Sequence, residues 1–240
     1  MNSSFDPDML AARSESRAVG INRIYNFVYG WMSAALVISA VAAWKMMHVI
    51  AENSSILSNG LMFGLIIAEF ALVVGMTAAV HKLPLIASII MFAVYAALNG
   101  VTLSVLLLVY AQSTVQLAFF TAAGTFAGMA LLGTVIKKDF SFIGRIAMML
   151  LIGLVVATIV NIFVGSNGLN YIISLFGVGI FTALTAYDAQ RVTRLANAEA
   201  SGSIDTQTAN RIGLMCALSL YLDFVNLFIY LLRLFGRSRD

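Results

Sequence analysis

Apolar residues run along the chain in long blocks, and short polar stretches separate them. A helix needs ~20 mainly apolar residues to cross the hydrocarbon core of a bilayer. Seven blocks meet that length, at residues 24–43, 61–80, 85–108, 115–136, 142–164, 171–190 and 212–234. The pattern therefore predicts an all-α fold, an integral membrane bundle of seven transmembrane helices. Residues 1–22 form a polar N-terminal tail, and residues 23–236 form the transmembrane domain. The connections are short, and none houses a second domain. The longest, between Arg191 and Arg211, is also the most polar. Its Ala200-Ser-Gly-Ser203 segment predicts a flexible loop or a frayed helix end.

Composition strengthens this picture. Of 240 residues, 61% are hydrophobic and 10% charged, whereas soluble domains carry about 25% charged residues. So little charge does not cover a water-exposed surface. The net charge of +3 comes mostly from loops and chain ends, and no alternation of basic and aromatic residues points to nucleic acid. The lipid bilayer is the expected partner. Cys216 is the single cysteine, which excludes an internal disulfide and any multi-cysteine metal site. It reads as a buried packing residue. Gly124 and Gly128 form a small-xxx-small pair, the pattern of a close helix contact inside a bundle.

Orientation follows from lysine and arginine in short loops. The tail carries Arg13, Arg17 and Arg23. Lys82 lies in the second loop, Lys137, Lys138 and Arg145 at the fourth, and Arg191, Arg194 and Arg211 in the sixth. The first loop has only Lys45, and the third and fifth have none. This asymmetry places the N-terminus in the cytoplasm, and seven spans then place the C-terminus outside. Arg233, Arg237 and Arg239 oppose that count. Either the last segment is not a simple span, or these arginines have another task.

Ionisable groups inside apolar helices are costly, about 2.5–3.5 kcal/mol for a central aspartate. They usually face the protein interior and mark a pathway or relay. Glu69, Asp188 and Asp223 qualify. In the seventh helix Asp223, Asn226, Tyr230 and Arg233 fall on one polar stripe at helical spacing. Lipid on that face would be expensive, so the C-terminal helix should be central. If Asp188 and Asp223 face each other on neighbouring helices, they would repel as ions and so share a proton. That makes a proton-responsive latch. Arg233 is the candidate cation for Glu69. The bland alternative is that neutral acids only link helices.

Three motifs now stand out. They are Leu98-Asn-Gly-Val-Thr-Leu-Ser104, Gly179-Ile-Phe-Thr-Ala-Leu-Thr-Ala-Tyr-Asp188 and Leu220-Tyr-Leu-Asp-Phe-Val-Asn-Leu-Phe-Ile-Tyr-Leu-Leu-Arg-Leu-Phe-Gly236. They resemble the Bax-inhibitor family, and the chain looks like a bacterial member of it. The resemblance runs from the first helix to the last. It implies seven helices with the seventh central, a non-cytoplasmic C-terminus and a pH-sensitive calcium leak in the inner membrane. It also implies that Asp188 and Asp223 are the pH-sensing pair, with Glu69 and Arg233 in the surrounding polar network. Some relatives carry an arginine at the end of the second helix that bonds to the pair. Here that end reads Val80-His81-Lys82, and His81 is the candidate substitute.

Calcium takes several oxygen ligands. Asp188, Asp223 and nearby hydroxyls or carbonyls would supply a weak, transient calcium site, which suits conduction. No cofactor is expected, and no enzymatic activity. Certain relatives also interact with an ATP-dependent membrane protease, for which the N-terminal tail would be a handle. A regulator without transport is therefore the alternative. An intramembrane aspartyl protease is remote, because Tyr221-Leu-Asp223 lacks the Gly-x-Gly-Asp context. A retinal protein would need a lysine in the last helix, and residues 212–234 contain none. His48 and His81 are the only histidines, so a His-x-x-x-His zinc site is absent.

Overall fold

A computed structural model describes residues 7–52, 59–79, 82–136 and 138–236. It contains seven helices: α1 (Pro7–Glu52), α2 (Asn59–Ala79), α3 (Leu85–Val109), α4 (Gln112–Val135), α5 (Ser141–Val164), α6 (Asn167–Ala200) and α7 (Thr206–Gly236). Each matches one of the predicted apolar blocks over nearly all of the block's length. Six are long and apolar enough to cross a membrane over their described residues, and α2 holds the shorter apolar stretch Phe63–Ala78. The outer surface is greasy: Phe163, Ile162, Phe70 and Ile86 are all more than 70% exposed. Such a continuous apolar surface is what a bundle shows to lipid, since water would make it aggregate.

Burial is graded by position in the bundle. In the most apolar window of α7, 67% of residues are buried, against 11% in α5. Helix α7 packs against α1, α3, α4 and α6, so the C-terminal helix is central. Helix α2 leans on α3 at the rim. The α2–α3, α4–α5 and α6–α7 connections share one end of the bundle with Arg23, Lys82, Lys138, Arg194 and Arg211. This is called the basic end below.

Two glycines set the tightest contacts of helix backbone on helix backbone. A Cβ at Gly100 would collide with the Ser39 carbonyl, and one at Gly133 with the Ala186 carbonyl. They let α3 approach α1, and α4 approach α6, backbone to backbone. Gly124 and Gly128 do not play the part expected of them. Nothing lies within 4 Å of a Cβ at either, because α4 buries Ala118, Ala122, Phe126 and Ala130 instead. That face is one small-residue stripe over, and the sequence contains both.

Two further expectations change. The connection between the sixth and seventh helices is a short turn at 201–205, because α6 continues to Ala200 and α7 begins at Thr206. Gly202 takes a positive φ of 75° there, and Asp205 receives the Thr208 N–H at 2.9 Å at the start of α7. The polar tail is helical from Pro7, continuous with the first span. Arg23 holds this part of α1 to the turn, bonding Glu199 and, at 3.0 Å, Asn210 Oδ1.

Candidate functional site

Helices α6 and α7 bring the two predicted aspartates together. Asp188 and Asp223 are each 4% exposed, and their carboxyls face each other closely enough to interact. The Arg191 guanidinium lies 2.7 Å from Asp188 Oδ1. An i,i+3 spacing puts these two side chains on the same helix face. The arginine also lies 5.9 Å from the centre of the Tyr187 ring, a cation–π distance. Asp223 Oδ2 is buried without a hydrogen-bond partner. Gly133 of α4 and Gly144 of α5 close on this turn of α6, Gly133 against the Ala186 carbonyl and Gly144 against the Tyr187 ring. The pair is therefore walled by protein rather than lipid. Arg191 is the charged group beside the pair, and the buried Cys216 thiol lies within reach of Arg191 and Asp188.

Glu69 has a different setting. It accepts from Asn99 Nδ2 at 3.2 Å and from the Thr102 hydroxyl. Asn99 Oδ1 in turn accepts from the Tyr221 hydroxyl at 2.9 Å. The Tyr221 hydroxyl lies 2.7 Å from Ser39 Oγ, whose proton is available to it as donor. One hydrogen-bonded chain thus links α2, α3, α7 and α1. Arg233 is not the partner of Glu69, contrary to expectation. Glu69 lies midway along α2, whereas Arg233 lies three residues from the end of α7.

The rest of the polar stripe disperses. Asn226 Nδ2 donates to the Leu222 carbonyl of its own helix at 2.8 Å. Tyr230 stacks on Phe181, with ring centres 5.7 Å apart, and Arg233 lies over the Tyr230 ring. His81 is outside the described residues. The cation that accompanies the aspartate pair is instead Arg191, which sequence reasoning had assigned only to loop charge. Its three-residue spacing from Asp188 was the available signal. Ser39, Asn99, Thr102 and Tyr221 were also missed. They are spread over α1, α3 and α7, and hydroxyls and amides are unremarkable within an apolar helix.

Chemically, the pair offers two carboxyls able to share one proton, one guanidinium, and one oxygen free to accept. Among the described residues no group of three or more His, Cys, Asp or Glu side chains converges. Outside the spans the acids behave conventionally. Hydrogen bonds from the Ser141 hydroxyl and N–H hold the Asp139 carboxyl below its ordinary range, helped by Arg194 at 3.0 Å. Thr208 does the same for Asp205.

Residues 21–240 match the family model described as inhibitor of apoptosis-promoting Bax1. Inner membrane protein YbhL of Escherichia coli K12 is 38% identical over 213 residues, covering 88% of this chain and 90% of YbhL. An uncharacterized protein of Borreliella burgdorferi is 39% identical, covering 91% and 94% of the two chains. One from Deinococcus radiodurans is 41% identical over 88% and 89%. With matches this extensive, and with seven helices packed around the last, the chain belongs to the Bax inhibitor family.

Proposed function

We propose that this protein is a pH-sensitive cation leak of the bacterial inner membrane, with calcium as the ion and the Asp188–Asp223 pair as the gate. The observation that carries the reading is the pair itself, two enclosed carboxyls in contact across the α6–α7 interface. With one shared proton the carboxyls bond and tie the two helices together. Without it two like charges face each other at low dielectric, where repulsion is far stronger than in water. The interface must then open or take up a cation. Arg191 compensates one of the two charges, so a single net charge is left to neutralise. Two carboxylates make a weak calcium site, and weak binding lets an ion leave. The inner membrane is the location named for YbhL. In this reading the basic end is cytoplasmic and the C-terminus periplasmic.

The test is calcium flux in reconstituted vesicles from pH 5 to 8, for the wild type, Asp188→Asn and Asp223→Asn. The expected result is flux whose pH dependence flattens in both variants. A purified wild type that passes no calcium at any pH overturns the leak.

A regulator that binds an ATP-dependent membrane protease is the second reading. One observation favours it: α1 is a helix from Pro7 onward, with Arg17, Ala18 and Val19 exposed. Substitutions there that leave flux normal but alter protease turnover would support this reading.

A further inference from the structure

Arg233 contradicts the charge pattern of the loops, and its surroundings supply a reason for its presence. Three parts of the chain meet at the end of the bundle opposite the basic one. They are the end of α3, the start of α6 and the last turn of α7. Between them lies a cavity of about 270 Å³, lined by Tyr110, Asn167, Asn170, Tyr171, Ser174 and Arg233. Arg233 is the one charged group in this lining. The ion pairs among the described residues are Arg23–Glu199, Arg191–Asp188 and Arg194–Asp139, and none of them includes Arg233.

The arginine is also held in place. Its guanidinium lies 5.7 Å from the centre of the Tyr230 ring. That ring is stacked on Phe181 and sits on Gly177, where a Cβ would collide with it. A planar cation stacked on an aromatic face keeps its N–H fork for another partner. The fork matches carboxylate and phosphate oxygens. The site is about 5 Å of helix rise from the end of α7, at the depth of headgroups rather than acyl chains.

We propose that this cleft is a phosphate-binding site, with Arg233 as its charged ligand and the Asn170 amide in the same lining. The shared chemistry is a phosphate oxyanion, borne either by a phospholipid of the adjoining leaflet or by a free phosphate. The proposal does not depend on calcium passage.

The experiment uses the full chain purified in a maltoside detergent, which carries no phosphate. Phosphatidylglycerol, diacylglycerol and inorganic phosphate are added separately. Bound lipid is counted by native mass spectrometry, and phosphate binding is read from thermal stability. The wild type should retain phosphatidylglycerol at least tenfold better than Arg233→Gln, and diacylglycerol should not bind. Ser174→Leu keeps the arginine but fills the cleft, and it should lose the lipid as well. It also serves as the deciding variant if Arg233→Gln fails to fold. Stabilisation by inorganic phosphate without lipid retention, lost in either variant, identifies a free phosphate as the ligand. The proposal is overturned if the variants retain phosphatidylglycerol as the wild type does and phosphate stabilises none of them. Equal retention of diacylglycerol overturns it too.

Discussion

Glu69 and the Asp188–Asp223 pair are both acids inside apolar helices, yet the fold treats them in opposite ways. Glu69 sits on a rim helix and receives one amide and one hydroxyl, each from α3. Its hydrogen-bond demand is met by neutral donors, so it works as a fastener between helices. The aspartates sit on the two most buried helices, have each other for company, and leave Asp223 Oδ2 without a partner. A satisfied buried group rigidifies, whereas an unsatisfied one in low dielectric carries a large penalty that a proton or an ion relieves. What separates fastener from switch is therefore the supply of donors, not the acid.

The contrast is broken or sharpened by four substitutions. Arg191→Gln removes the cation beside the pair and should have the largest effect. A proton on the pair would no longer compete with a guanidinium, so the pH profile of calcium flux should move by about one unit toward alkaline pH, roughly tenfold at a fixed pH. An unmoved profile removes Arg191 from the switch. Next comes Tyr221→Phe, which leaves Asn99 Oδ1 without its donor. Thermal or denaturant unfolding in detergent should show a loss of about 1 kcal/mol with no movement of the pH profile.

Glu69→Gln should do less. Asn99 remains to donate to the new amide oxygen and the Thr102 hydroxyl to accept from the new amide NH2, so the stability change should stay under about 1 kcal/mol. If this variant shifts the flux profile as far as Arg191→Gln does, the distinction between fastener and switch collapses. Asp139→Asn is the smallest. Because the Asp139 carboxyl lies below its ordinary value, its contribution is complete above the unfolded value near 4. It fades as pH falls through the lowered folded value. Melting temperatures of wild type and variant should differ slightly at pH 5 to 7 and converge in stronger acid.

The contrast also marks how much could be read from the chain. The helices, the central place of α7 and the meeting of Asp188 with Asp223 were legible, because length, a polar stripe and one short connection dictate them. The Glu69–Arg233 pairing was not. A sequence records where a polar residue falls on its own helix, but not the depth and rotation of that helix against its neighbours. Gly124 and Gly128 failed for the same reason. Helix α4 offers two stripes of small residues, and the partner's surface decides which is used. The Ser39–Tyr221–Asn99–Glu69 chain was invisible, because it exists only once four helices have assembled.

The central place of α7 has a consequence for biosynthesis. The helix that touches α1, α3, α4 and α6 is the last of the seven to leave the ribosome. Until it arrives, the small-residue face of α4 and the carboxyl of Asp188 have no finished interior to occupy. Six inserted helices thus lack their centre and leave a costly acid exposed, and only the seventh completes the interior. A truncated product advertises its own incompleteness to quality control.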